Sequence, residues 1–83
     1  MFYVYVLKCR DGSFYTGYTD DVQKRLKMHE EGKASKYTRS RLPVEIVAQW
    51  SFESKSDAMK HEIMFKSLTR KEKMVHLSLS RNS

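Results

Sequence analysis

The chain has 83 residues, 40% of them hydrophobic and 31% charged, with five Tyr, four Phe and one Trp. A chain this short forms one domain with a small core, burying only about 60% of its unfolded surface. Its aromatic content argues against a disordered chain, and its single cysteine, Cys9, excludes an internal disulfide. Sixteen Lys and Arg against ten Asp and Glu leave a net charge of +6, which favours a polyanionic partner, most simply nucleic acid.

Phe2–Cys9 is rich in β-branched and aromatic residues and reads as a strand. Its apolar run ends at Lys8, too short for a signal sequence or a membrane span, so a cytoplasmic protein is expected. Asp11-Gly12 is a turn signal, and Ser13–Thr19 is a second strand, giving a hairpin. Two registers are open. A two-residue turn opposes Tyr5 with Tyr18 and sends Tyr15 to the other face. A three-residue turn, with Gly12 in the left-handed region, opposes Tyr5 with Gly17 and makes Tyr5 and Tyr15 diagonal neighbours on one face. The second register is favoured because it gives Gly17 a role, leaving room above the backbone for the Tyr5 ring or a ligand.

Asp20 or Asp21 can cap a helix that runs to about Glu31 and stops at Gly32. Val22 and Leu26 form its apolar stripe, with Arg25 and His29 on the same side. Lys33–Leu42 reads as a loop, with Lys33, Lys36, Arg39 and Arg41 around Tyr37, suited to phosphate contacts and one stacked base. From Pro43 a third strand begins, and Val44, Ile46, Ala48, Trp50 and Phe52 alternate with mostly polar neighbours. Ser54 with Asp57 caps a long helix, Ser56–Leu68. Thr69 with Glu72 caps a short one, about Arg70–His76. His61 and His76 read as surface residues, and Ser78–Ser83 as a fraying tail outside a single domain of residues 1–77. The expected fold is α+β, a small three-stranded sheet flanked by helices in the order ββαβα(α), with the relative direction of strands two and three left open.

Glu62 stands out. On a helical projection it shares a face with Ala58, Phe65 and Leu68. A carboxylate on an inward stripe is costly unless it is paired or binds a cation. An i,i+4 pair with Lys66 is the plain explanation; chemistry is the other.

Tyr3-Val4-Tyr5, then Tyr15-Thr16-Gly17, resembles the paired tripeptides of the GIY-YIG nuclease superfamily. Arg25 follows ten residues after Tyr15, where that family carries its helical arginine, and His29 follows one turn later. Glu62 falls on the helix after the third strand, where the family places its metal-binding glutamate. Asp11-Gly12-Ser13, Lys36-Tyr37-Thr38 and the segment 69–73 resemble a small stand-alone bacterial subfamily. Tyr18 departs from the pattern, since many family nucleases have a lysine there. The resemblance implies phosphodiester cleavage in nucleic acid, DNA in the first instance, with one Mg²⁺ or Mn²⁺ on Glu62 and no small-molecule cofactor. It implies Tyr15 as the general base, Arg25 on the scissile phosphate, and Tyr5 and His29 orienting water or phosphate. A free phenol titrates near ~10, so such a base needs positive charge nearby. No recognition module for a particular base sequence is present, so contacts through Lys33, Lys36, Tyr37, Arg39 and Arg41 should be largely sequence-blind, and a monomer is expected. The alternative is a nucleic-acid-binding module of the same fold that cleaves poorly or not at all.

Overall fold

The computed structural model describes residues 1–81, with side chains through Ser78. Its seven elements are β1 (Phe2–Cys9), β2 (Phe14–Thr19), α1 (Val22–Glu30), α2 (Lys36–Arg39), β3 (Val44–Phe52), α3 (Lys55–Ser67) and α4 (Arg70–Arg81). The Asp11-Gly12 turn sets the hairpin register. Cys9 N–H donates to the Ser13 carbonyl at 2.8 Å, and Gly12 takes φ 86°, the left-handed geometry that closes a three-residue turn. Tyr5 therefore opposes Gly17 and Leu7 opposes Tyr15, the register favoured from sequence. The direction left open is also fixed: β3 pairs antiparallel with β1 on its other side, so the strand order is β2-β1-β3 and β2 is an edge.

The alternation in β3 does not mark one continuous face. The register slips between Val6↔Ala48 and Leu7↔Ile46, which leaves Val47 as an extra residue. Because side chains alternate with period two, one inserted residue moves everything beyond it to the opposite side. Val44 and Ile46 consequently pack with Tyr5, Leu7 and Cys9, while Val47, Ala48 and Trp50 pack with Val6, Phe65 and Leu77. The bulge splits the core into two layers. Leu26 of α1 covers the first, and α3 and α4 cover the second through Phe65 and Leu77.

Helix ends follow their capping residues. Asp21 accepts from Lys24 N–H, Ser54 from Asp57 N–H, and Thr69 and Glu72 exchange bonds between side chain and backbone in a capping box. Three expectations need correction. The 33–42 segment is not a plain loop: Ser35 caps the one-turn helix α2 by accepting from Tyr37 N–H at 3.1 Å. The last helix does not end near His76 but continues through Arg81, into the stretch expected to fray; Asn82 and Ser83 lie outside the described residues. His61 and His76 are not surface residues. Both are half-buried, with the His61 ring 4.6 Å from Trp50 and 5.2 Å from Phe52, and His76 5.7 Å from both Trp50 and Phe65. Trp50 gathers both histidines, which a helical projection of α3 or α4 alone cannot show. Among the described residues no helix is long and apolar enough to cross a membrane.

Candidate active site

β1 and β2 present two phenols side by side because of the hairpin register. The Tyr5 and Tyr15 ring centroids lie 6.4 Å apart. Gly17 is what allows Tyr5 to lie down across β2. A Cβ built at position 17 would fall 2.6 Å from the Tyr5 hydroxyl oxygen and 2.8 Å from its Cζ. The Tyr5 ring is buried and packs with Leu7, Cys9 and Val44, so it yields only by giving up those contacts. Gly17→Ala is therefore expected to destabilise the protein by about 1–3 kcal/mol and to break the contact described next; thermal denaturation and the NMR signals of the Tyr5 ring check both.

The Tyr5 hydroxyl meets His29 Nε2 at 2.9 Å, and His29 Nδ1 meets Thr38 Oγ at 2.8 Å, with His29 and Thr38 both fully buried. Thr38 Oγ also donates to the Ser35 carbonyl at 3.3 Å. A hydroxyl has one proton to give, so Thr38 accepts from His29 Nδ1–H. Nε2 of the neutral ring then accepts from the Tyr5 O–H. Burial, then the nearby Arg25 charge, lowers the His29 pKa, in keeping with a neutral imidazole. Burial and the neighbouring Tyr15 push the Tyr5 phenol well up, so Tyr5 keeps its proton and directs it at His29. Thr38 is the positioning residue that sequence reasoning missed. It sits among exposed basic residues with no apolar period to mark it, and the available signals were the Lys36-Tyr37-Thr38 string, which gave it no role, and the Ser35 cap three residues earlier.

The rest of the site forms around the β2 edge. α1 and α3 lie on opposite faces of the sheet, but both reach this edge. An open cleft of about 410 Å³ there is lined by Tyr5, Tyr15, Gly17 and Arg25, and from α3 by Lys55 and Glu62. Arg25 and Glu62 are both close enough to act electrostatically on Tyr5, with opposite sign. The Glu62 side chain is 15% exposed and Lys66 Nζ lies 3.8 Å from it, on a side chain that is 53% exposed. The plain i,i+4 pair thus exists, but so half-solvated a partner is worth only a few tenths of a kcal/mol and leaves the carboxylate available. Lys55 and Asp20 also line the cleft and were not anticipated there; Asp20 directly follows β2, and the packing of α3 against β2 brings Lys55. Lys55 shares the cleft lining with Tyr18.

Among the described residues no group of three or more His, Cys, Asp and Glu could cage an ion. An open cleft lined by the Glu62 carboxylate, with Asp20 also on its lining, instead fits Mg²⁺ or Mn²⁺, ions that take one or two carboxylates and fill their other positions with water and phosphate oxygens.

The basic segment is more ordered than expected. Lys33, Lys36 and Arg39 are exposed. Arg41 is largely engaged: it pairs with Asp11 at 3.1 Å, donates to the Tyr37 carbonyl at 2.9 Å, and lies 3.8 Å over the Tyr37 ring. Tyr37, 37% exposed, stacks towards Tyr15 with centroids 6.2 Å apart.

Two histidines tie stability to pH. Burial lowers the pKa of both His29 and His61, and the buried His61 Nε2 has no hydrogen-bond partner. A pKa lower in the folded than in the unfolded chain means that the unfolded chain binds more protons below its ordinary value of about 6.5. Stability should thus be full above about pH 6.5 and fall as pH drops towards the folded values. Melting temperatures at pH 7.5 and 5.5 check this, with the lower value expected at 5.5 and a smaller difference in His61→Leu.

Comparisons with known proteins give the family and the fold. A family model described as the GIY-YIG catalytic domain matches residues 1–75. The UPF0213 protein BH0048 of Halalkalibacterium halodurans is 53% identical over 77 residues, covering 93% of this chain and 82% of that protein. The UPF0213 protein YazA of Bacillus subtilis is 49% identical over 81 residues, covering 98% and 82%. The solution NMR structure of BH0048 superposes with a TM-score of 0.64 at 52% identity, covering 95% of this chain and 85% of that one. That of the E. faecalis protein EF2693 superposes at 0.67 with 44% identity, covering 98% and 86%. The tyrosine pair, the helical arginine and histidine, the glutamate and these matches together place the chain in the GIY-YIG family.

Proposed function

We propose that this protein is a divalent-metal-dependent nuclease that cleaves phosphodiester bonds in DNA with little or no sequence preference. The observation that carries the reading is the meeting of Tyr5, Tyr15, Arg25 and Glu62 in one cleft at the β2 edge. Each comes from a different element, and packing alone gives no reason for two phenols, a guanidinium and a half-buried carboxylate to share it.

Glu62 would hold the metal ion, with water and phosphate oxygens completing its shell. When bound, such an ion supplies charge to polarise the phosphate and stabilise the leaving oxygen. Arg25 binds the scissile phosphate and offsets the charge that grows in the transition state. Tyr15 takes the proton of the attacking water. Tyr5 has its own proton fixed on His29, so its oxygen lone pairs remain to accept a hydrogen bond from that water and aim it. Lys55 adds positive charge beside the phosphate. The exposed Lys33, Lys36 and Arg39 draw in the rest of the backbone without reading sequence, while Arg41 contributes mainly by fixing Tyr37.

The experiment is incubation of pure protein with single-stranded and branched DNA, with Mg²⁺, Mn²⁺ or EDTA. Cleavage is expected with either metal and not with EDTA, and Arg25→Ala should lower its rate by about 10²–10³-fold. Cleavage unchanged in Arg25→Ala, or binding without cleavage under every condition, would reject the reading.

A further inference from the structure

Beside the cleft, on the other side of Tyr15, a second hollow of about 190 Å³ opens between β2 and the helices α2, α3 and α4. It is lined by Phe14, Tyr15, Thr16, Tyr37, Lys66 and Lys73. It is smaller than the ~300–1,000 Å³ of typical small-molecule pockets, which limits its occupant to a single ring system. Its walls combine two features rarely adjacent by chance: aromatic faces and ammonium groups. Tyr37 and Tyr15 lie within 30° of parallel. The Arg41 guanidinium, itself fixed by Asp11, backs the Tyr37 ring, and that of Arg70 sits 5.1 Å over Phe14 while donating to the Gly12 carbonyl. Both rings are thus held by anchored arginines, so little side-chain freedom is lost on stacking. Lys66 and Lys73 supply charge at the rim.

We propose that this hollow is a nucleotide subsite: it takes one unpaired nucleobase, stacked on Tyr37, from the residue adjoining the scissile phosphate, with Lys66 and Lys73 on the neighbouring phosphate. The inference rests on the nuclease reading for its register, because Tyr15 is shared by both hollows and so links them within one nucleotide step. A base held in a duplex is stacked and paired on its own strand and cannot enter without being extruded. The substrate class is therefore a strand with at least one unpaired nucleotide next to the cut, as in a flap, a frayed end or a single strand. Base–aromatic stacking is tolerant of sequence.

The test uses the full chain in EDTA and a single-stranded octanucleotide carrying one 2-aminopurine, made in deoxy and in ribo form; this base loses fluorescence when it stacks. Wild-type protein should quench the probe, and should not quench the same base annealed in a duplex. Tyr37→Leu should bind the single strand ~5–150-fold more weakly, the loss of one stacked base, and Tyr37→Phe should bind as wild type. Equal binding by Tyr37→Leu and wild type, or an equal loss in Tyr37→Phe, would overturn the subsite. Quenching of the deoxy form alone, the ribo form alone or both supports it and identifies the strand. Mg²⁺-dependent cleavage without quenching would end the subsite and leave the nuclease reading standing; quenching by a protein that never cleaves would do the reverse.

Discussion

Glu62→Gln is expected to lower Mg²⁺- or Mn²⁺-dependent cleavage by about 10³-fold or more while the protein stays folded. The amide keeps the size of the side chain and loses its charge. What the fold loses is small: one ion pair with the half-exposed Lys66 at 3.8 Å, worth a few tenths of a kcal/mol. The cleft loses the carboxylate proposed to hold the metal ion. A bound divalent ion contributes several kcal/mol of transition-state charge stabilisation, and each ~1.4 kcal/mol is tenfold in rate, which gives the magnitude. The melting temperature should stay within a few degrees of wild type. A large fall in stability together with activity would mean that Glu62 is a structural residue. Wild-type cleavage would mean that the ion is held elsewhere.

His29→Ala is expected to have the largest effect on stability of any change at the site. His29 is fully buried, and both ring nitrogens are engaged. Truncation leaves a cavity and removes the acceptor of the Tyr5 hydroxyl proton, while Thr38 keeps its bond to the Ser35 carbonyl. A cavity of this kind typically costs about 2–5 kcal/mol, and an unpaired buried polar group about 1–3 kcal/mol more. Relaxation and water entry recover part of that, so about 3 kcal/mol is a reasonable expectation. At ~4–8 °C per kcal/mol for a domain of this size, the melting temperature should drop by about 12–24 °C. His29→Phe separates the two causes, since it fills the volume but neither accepts from Tyr5 nor donates to Thr38. It should recover most of the cavity loss and stay inactive, because the Tyr5 ring is no longer anchored.

Why the sequence discloses some of this and hides the rest follows from the range of the forces involved. Local rules worked. Asp11-Gly12 determines its own turn, the turn determines the register, and the register sets Tyr5 over Gly17. Ser54 and the Thr69–Glu72 pair announce helix starts because capping needs only neighbours in sequence. Glu62 could be singled out because an inward carboxylate violates the apolar period of its own helix. Features set by contacts between distant segments were not legible. The β3 bulge at Val47 is invisible in an alternating sequence, since the slip depends on which β1 residues it must face. Thr38 looks like one more polar residue until α2 folds it onto His29. His61 looks solvent-facing on α3 until Trp50 of β3 comes beneath it. Lys55 enters the cleft only because α3 reaches the same sheet edge as α1.

The central claim is that the cleft at the β2 edge is the place where the ion and the reacting groups come together. Titration of isotopically labelled protein with substoichiometric Mn²⁺, followed by NMR line broadening, tests it without requiring any substrate. The earliest and strongest broadening should fall on Glu62, Tyr15, Gly17, Arg25 and Lys55 together, and should disappear in Glu62→Gln. Broadening centred on another part of the chain, or the same pattern surviving in Glu62→Gln, would contradict it.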